Sequence, residues 1–514
     1  MLSTVIGLLF QPLNFGLMIL GCVIGIIFGA IPGLSNVSAI ALMLPLTFAM
    51  SSETGIIYLG TIFVGGVSGG MISSILLGVP GSNCNIATCL DGFPMTQKGK
   101  ATRALGIAIV SSFISTLVSL VIAMLFCPII ARLALLLGPW EFFSLCATAI
   151  VLVITMSKGN VYAGLTAGAL GMLLSTVGIA PVDGAKRFTF GITNLLGGIP
   201  TLAVTLGIFA VANLALNYAR GKMDSPSVDV KGLKGFGIGL KEYFSHWKLI
   251  LRSFMIGLWV GFLPGMGAGL SNVVAYADAK SNSKHPELFG TGIDEGIIAP
   301  EIANNASVGG AVIPTIALGI PGDNACALLL SGLMIKGIDA GPLLMTNSPK
   351  LVYCFFGCMI LSTIVVFALE FLGMRIFPRV LQVPTHYMYA AIFIICFIGV
   401  YSNTYSIFSL WLMIILAALG FLMHYGELPL SPFILGFILG PMMEDYLRKG
   451  LTYSDKGFLL FLQRPISAIL IIIAVASLAW PPIRELLAKR RAATGKESEL
   501  DRISKDTDKM EVEE

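Results

Sequence analysis

The strongest constraint on this chain is a series of apolar stretches, long enough to cross a lipid bilayer, that recur along its whole length. Leu13 to Ile31, Ala104 to Ile130, Phe142 to Met156, Leu351 to Phe371, Ala390 to Tyr401, Ile407 to Met423 and Pro465 to Ala479 are examples. A helix needs about 20 such residues to traverse the hydrocarbon. Composition agrees: 56% of the 514 residues are hydrophobic, only 12% are charged, and the mean hydropathy is +0.88. Such a chain is solvated mainly by lipid, and the reading is an all-α integral membrane protein with roughly 10–12 transmembrane spans. Met1 to Asn14 has no Lys or Arg ahead of its apolar run and no small-residue cleavage site, so the first span is expected to be retained.

The formal net charge is only +4, and the basic residues gather at Lys98–Arg103, Arg220–Arg252 and Arg484–Lys509. These clusters are candidates for the cytoplasmic side, and nucleic-acid binding is not expected. Arg448 and Lys449 form a further cluster one apparent span before the tail. The nine cysteines lie almost wholly in apolar runs, with no Cys-x-x-Cys and no His at ligand spacing, and read as small apolar fillers.

Internal similarity sets the architecture. Gly25-Ile-Ile-Phe-Gly29-Ala-Ile-Pro32-Gly33 returns as Gly257-Leu-Trp-Val-Gly261-Phe-Leu-Pro264-Gly265. Leu77-Gly78-Val79-Pro80-Gly81-Ser82-Asn83 returns as Leu318-Gly319-Ile320-Pro321-Gly322-Asp323-Asn324. A weaker echo joins Pro181–Arg187 with Pro441–Arg448. The offsets of 232 and 241 residues differ by nine, as one duplicated unit with loop insertions would give. The expected organisation is a first transmembrane repeat over 1–217, a polar linker with an amphipathic helix over 218–248, a second repeat over 249–484, and a charged, disordered tail over 485–514. Inverted repeats are a common build for secondary transporters, with the substrate site between them near mid-membrane.

Glycines at 21, 25, 29 and 33, and at 257, 261, 265 and 269, leave one helix face bare so that another helix can approach closely. Each stripe reaches a Pro-Gly, where proline removes a backbone donor and glycine permits a turn. A helix broken within lipid is tolerated only where protein or a water-lined cavity satisfies the freed backbone groups. Pro32-Gly33, Pro80-Gly81, Pro264-Gly265 and Pro321-Gly322 are therefore read as breaks, or as tips of re-entrant hairpins, around a binding site. Beside them stand Asn36, Ser82, Asn83, Gly267 and Asn324, with Asn305 nearby in sequence. Half-helix N-termini can hold a carboxylate without a buried Lys or Arg. Asp323, with Asn304 and Ser82, is the candidate set for a coupling cation, Na⁺ at Asp323 or H⁺; helix capping is the plainer role for Asp323. The polar stretch Gly290–Ser307 reads as a loop that lines or gates a cavity, or as a solvated one. Glu295, Glu301, Asp91, Arg187 and Arg448 are gating or structural candidates.

At these residues the chain resembles the large membrane subunit of the tripartite tricarboxylate transporter family, the TctA family. The matching elements run in order along nearly the whole chain: Gly29-Ala-Ile-Pro-Gly-Leu34, Leu44-Pro-Leu-Thr47, Gly65-Gly66, Pro80-Gly81, Asp91-Gly92, Arg187-Phe-Thr-Phe-Gly191, Gly261-Phe-Leu-Pro-Gly-Met-Gly267, Glu295-Gly296, Ala299-Pro-Glu-Ile-Ala-Asn-Asn-Ala306, Gly319-Ile-Pro-Gly322 and Arg448. The chain departs from the family habit at Ser35, at Ser82–Asn85 and at Asp323-Asn324. The resemblance implies a cation-driven secondary transporter of the bacterial inner membrane, with no cofactor beyond the coupling ion. It also implies a periplasmic substrate-binding protein and a small membrane subunit as partners, and a di- or tricarboxylate as substrate. A stand-alone carboxylate symporter is the alternative. An intramembrane protease is not expected, since Ile320 breaks the Gly-x-Gly-Asp pattern before Asp323 and no His-Glu-x-x-His is present.

Overall fold

The structure, a computed structural model, describes residues 2–31, 34–156, 161–180, 184–219, 237–265, 267–374, 393–398, 400–401, 404–453 and 457–493. It is nearly all helix. The first part holds α1 Leu2–Leu9, α2 Pro12–Ala30, α3 Asn36–Met43, α4 Ser52–Leu77, α5 Ile86–Gln97, α6 Ala101–Ala134, α7 Pro139–Met156, α8 Val161–Ser175, α9 Thr201–Thr205 and α10 Ala212–Ala219. After the linker come α11 Leu240–Ser245, α12 Trp247–Phe262, α13 Gly267–Ser281, α14 Glu295–Leu318, α15 Asn324–Ile335, α16 Leu344–Asn347 and α17 Pro349–Gly373. The last part holds α18 Ile407–Tyr425, α19 Leu430–Thr452, α20 Leu459–Gln463 and α21 Pro465–Ala493. One short hairpin departs from the all-helical expectation: Gly178–Ile179 pairs antiparallel with Lys186–Arg187.

Among the described residues five helices are long and apolar enough to cross a membrane: α2, α4, α6, α17 and α18. Shorter apolar helices lie over Asn36–Ala49, Pro139–Thr155, Val161–Ser175, Asn324–Ile335 and Pro465–Ala479. Several apolar runs that length alone reads as spans are thus shorter pieces. The lipid-facing side shows in exposed apolar residues such as Leu125, Ile129 and Leu133 on α6, or Trp411, Ile415 and Leu422 on α18. By contrast α4 is wholly enclosed by other helices.

Backbone-to-backbone packing makes that enclosure possible. A Cβ on Gly25 would stand 2.5 Å from the Ile62 carbonyl oxygen and 2.7 Å from the Gly66 amide nitrogen. From the other side, a Cβ on Gly65 or Gly69 would meet the carbonyl oxygens of Cys22 and Ile26 at 2.6 and 2.5 Å. The α12–α14 pair repeats the arrangement, with Gly257 and Gly261 against the backbone of Ala303 and Ser307, and Gly310 against Leu258. Gly25 and Gly29, and Gly257 and Gly261, form packing seams, as their spacing predicts. Around these two pairs, α6 packs on α14 and α17 on α4, while α19 packs on α7 and α8.

The stretch 290–307 is corrected here: only its first five residues are loop. From Glu295 it is helix α14, and Glu301, Asn304 and Asn305 are buried inside it. Pro300 and a run of small residues hid a helix whose stability comes from tertiary packing, not propensity. The aromatic and basic segment Lys241–Arg252 is likewise two helices, parted at His246. Tyr243 is buried and its hydroxyl pairs with Ser111 Oγ of α6 at 2.8 Å. Arg103 of α6 binds Asp294 and Glu242 together, which holds the exposed Glu242 carboxyl below its ordinary range. Most of the linker, 220–236, lies outside the described residues, as does 494–514 of the tail.

Replacing Gly25 with Val forces a side chain into the α4 backbone, where overpacking costs about 1–3 kcal/mol or more. The purified variant is expected to melt several degrees below the parent in a detergent thermal-shift assay. Gly16→Ala, on an open face of the same helix, is expected to melt with the parent.

Candidate functional site

Two of the four Pro-Gly elements share one detailed geometry. α4 ends at Gly78 with φ 70°, and α14 ends at Gly319 with φ 73°. These left-handed closures favour glycine because a Cβ would strain them. Each is followed by an x-Pro-Gly and then by an extended N-cap residue: Ser82 Oγ accepts from Cys84 N at 3.3 Å, and Asp323 Oδ1 accepts from Cys326 N at 2.7 Å. Asp323 therefore does take the capping role. Near the other two elements, Ser35 Oγ caps α3 by accepting from Ser38 N at 3.2 Å, and α12 closes before Pro264, with Gly265 at φ 73°. Pro32 and Gly33 lie outside the described residues, and so does Met266.

The tips are tightly seated. A Cβ on Gly81 would overlap the Gly29 carbonyl oxygen and stand 2.8 Å from Ser73 Oγ, and one on Gly322 would meet Ala311 Cα at 2.5 Å. Gly267, at φ 52°, leaves room for Asp323, whose Cβ would be 2.5 Å from a Cβ there. Asn36 is buried against Gly66, with its Oδ1 accepting from Val37 N. Pro80 is half-buried and Pro321 buried.

Beyond the tips lies a polar network centred on Glu301, which is fully buried in α14. Glu301 Oε1 accepts from Asn85 Nδ2 at 2.9 Å and from Thr88 Oγ1 at 2.6 Å, while Oε2 accepts from Asn305 Nδ2 at 3.3 Å. Ser82 Oγ donates to Asn85 Oδ1 at 3.1 Å, so the first tip reaches the carboxylate in two hydrogen bonds. From α13, Asn272 accepts from Ala87 N at 2.8 Å and donates to Thr88 Oγ1 at 3.3 Å. From α6, Ser112 and Thr116 both donate to Asn305 Oδ1, at 3.0 and 3.2 Å. Cys84 lies within electrostatic reach of both Asp323 and Glu301. The network thus joins residues more than 200 positions apart, and the groups bonding Glu301 are amides and one hydroxyl, with no Lys, Arg or His.

Two polar groups in this region lack partners. Both side-chain atoms of Asn304 and the hydroxyl of Ser73 are buried without a hydrogen bond. An unsatisfied buried polar group costs about 1–3 kcal/mol, so each is a place where a ligand atom would restore what folding removed. No hydrogen bond joins Asp323, Asn304 and Ser82 to one another among the described residues.

Other expected site residues have clear structural duties. Asp91, fully buried, accepts from the amides of Gly290, Gly292 and Ile293 at 2.7–3.1 Å and from the Tyr276 hydroxyl at 2.9 Å. Arg187 and Arg448, far apart in sequence, converge on Glu444 at 2.7 and 2.8 Å. Lys449 pairs with Asp445 at 2.7 Å, so the Arg448-Lys449 cluster carries little net positive charge. Glu295 faces His246 at 3.6 Å. Asn324 Nδ2 donates to Ser431 Oγ of α19 at 3.0 Å, tying the second tip to a late helix. Sequence reasoning passed over Thr88, Ser112, Thr116, Glu370 and Glu444. Glu370 carried a readable signal, as the one acid in the apolar run Leu351 to Phe371.

The sequence profile of the tripartite tricarboxylate transporter TctA family matches residues 15–435. An uncharacterised 52.8 kDa protein in the TAR-I ttuC' 3' region of Agrobacterium vitis is 31% identical over 479 residues, 93% of this chain and 95% of that protein. A second uncharacterised protein, in the TAR-II ttuC' 3' region of the same organism, is 32% identical over 215 residues, 42% of this chain and 89% of that protein. No solved structure matches. A profile that covers most of the chain, on a fold of apolar helices around a buried polar centre, fixes the assignment: this chain is a membrane protein that belongs to the tripartite tricarboxylate transporter TctA family, a family of transporters.

Proposed function

We propose that the chain is the large transmembrane subunit of a tripartite, cation-driven importer of a small carboxylate, with Na⁺ as the favoured coupling ion. A periplasmic binding protein delivers the substrate and a small membrane subunit completes the assembly in the bacterial inner membrane. The observation that carries this reading is the pair of caps at Ser82, which opens the short 3-10 turn Asn83–Asn85 leading into α5, and at Asp323, which opens α15, set in a region of buried amides and carboxylates. A carboxylate fits there because helix N-termini offer free N–H groups and partial positive charge without a buried cation. The orphaned amide of Asn304 and the hydroxyl of Ser73 supply unsatisfied polar atoms nearby. The residues proposed to line the substrate path are those of the four tips, Pro32-Gly33, Pro80–Asn83, Pro264–Gly267 and Pro321–Asn324, with Asn36 and Asn305.

In this reading the halves 1–217 and 249–484 are inverted repeats. The support is their common order of elements, in which α2 to α6 run parallel in kind to α12 to α15 and α17, and the matched closures at Gly78 and Gly319. Glu301 links the halves through Asn85 and Thr88. Its position lets it report the state of one tip to the other.

The test is uptake of radiolabelled di- and tricarboxylates into proteoliposomes under an imposed Na⁺ gradient, with the chain alone and with both partners. Uptake is expected only with all three parts and Na⁺; uptake by the chain alone would replace this reading with a stand-alone symporter. Asp323→Ala and Asn324→Ala are each expected to lower uptake by about tenfold or more, the kinetic equivalent of about 1.4 kcal/mol. Both should keep normal insertion, because a lost cap costs only about 0.5–2 kcal/mol. Glu301→Gln, which keeps the shape but weakens the acceptor, is expected to impair uptake without lowering the amount of folded protein. Normal uptake by all three variants would remove these residues from the site.

A further inference from the structure

A second carboxylate lies deep in the helical core, apart from the tips. Glu370 of α17 is 1% exposed, and its Oε1 has no hydrogen-bond partner. It lines a small cavity, on the scale of one water molecule, at the junction of α4, α6 and α17. The apolar part of the lining is Val64, Phe113, Val366 and Phe367; the polar part is Ser68, Ser112, Thr116 and Thr363.

The directions of the hydrogen bonds around this cavity are informative. Ser112 and Thr116 give their protons to Asn305 Oδ1. Ser68 and Ser112 are 2.6 Å apart, and Ser68 is also within hydrogen-bonding reach of Glu370. Thr363 gives its proton to the Met359 carbonyl at 2.9 Å. Ser112, Thr116 and Thr363 have therefore spent their single proton elsewhere, and what remains on each is lone-pair capacity. An ionised Glu370 would thus have Ser68 as the one donor among these four hydroxyls, with its Oε1 left unpaired. Among the described residues, the titratable groups within electrostatic reach are Cys22 of α2 and Glu301 of α14, with no cationic side chain among them. A buried carboxylate in that setting needs positive charge brought to it.

We propose that Glu370, with the hydroxyl oxygens of Ser68, Ser112, Thr116 and Thr363, forms a second cation site that takes Na⁺ or, in its place, a proton. Hard monovalent cations are held by oxygen donors of this kind, and four neutral oxygens beside one carboxylate leave the loaded site with no net charge. The site is joined to the candidate substrate region by one residue: Asn305 receives Ser112 and Thr116 on its oxygen and gives its amide to Glu301. Loading the cavity fixes those hydroxyls in the orientation that supports Asn305, and so holds Glu301 in its bonds to Asn85 and Thr88. The inference rests on the carrier reading for its purpose, while its geometry stands independently.

The experiment is equilibrium binding of ²²Na⁺ to the purified full-length chain in detergent, by scintillation proximity, for the parent, Glu370→Gln and Thr363→Val. The expected result is saturable binding by the parent, weakened by about tenfold or more in Glu370→Gln and several-fold in Thr363→Val, as loss of a charged and of a neutral ligand predicts. If the parent binds no Na⁺, infrared difference spectra on pH change decide. A carboxyl band that titrates in the parent and vanishes in Glu370→Gln assigns the site to the proton. Unchanged Na⁺ binding in both variants, or neither Na⁺ binding nor a Glu370 band, overturns the proposal. Should Glu370→Gln fail to fold, Thr363→Val and Ser112→Ala carry the same test, and unweakened binding or an unshifted band in both refutes it. Na⁺ binding at Glu370 together with no carboxylate uptake in the reconstituted assembly would sink the carrier reading and leave this site standing.

Discussion

Close approach of two backbones is what the rest of this structure depends on. Where Gly25 and Gly29 meet Gly65, Gly66 and Gly70, and where Gly257 and Gly261 meet Ala303, Ser307 and Gly310, helices touch without intervening side chains. Lipid gives little hydrophobic reward for joining one apolar helix to another, so association must come from contact and from hydrogen bonding. The seams supply the contact. They also bring α4 and α14 into full enclosure, and only an enclosed helix can end in the interior with its terminal groups supplied by protein. The left-handed glycines, the Pro-Gly turns and the caps at Ser82 and Asp323 all follow from that shelter.

The second organising fact is an interior that carries carboxylates but few cations. Arg103, Arg187, Arg252 and Arg448 all keep to the partly exposed margins and are paired there with acids. Glu301 and Glu370 sit inside with amides and hydroxyls instead. This division leaves the core able to accept positive charge from outside, which a pre-paired core would not be.

Much of this was legible in the sequence. The glycine spacing predicted the seams, the repeated x-Pro-Gly predicted where α4 and α14 stop, and Asp323 was readable as a cap because Asp satisfies free amides at helix starts. What escaped was set by tertiary contact. The stretch from Glu295 to Ser307 carries Pro300, Glu301 and two asparagines, a composition that reads as loop until α6, α12 and α13 are seen to surround it. Thr88, Ser112 and Thr116 matter only because α14 places Asn305 and Glu301 opposite them, and no local pattern announces such a meeting. Arg187 and Arg448 stood out in an echo between the halves, but their common partner, Glu444, could be known only in three dimensions. Glu370 was visible and passed over, for its apolar neighbours made the whole run look like plain lipid anchor.

The loop ahead of α14 has a mechanical meaning. Asp91 grips the 290–293 turn while, one turn earlier on α5, Thr88 and the preceding Asn85 grip Glu301. Two anchorages on one short helix remove both sliding and pivoting, so α5 and α14 form a single lever with α13 bolted to it through Asn272. Any large displacement in this molecule must carry that lever whole. Outside it, α15 meets α19 through the Asn324–Ser431 hydrogen bond and through packing of the two helices.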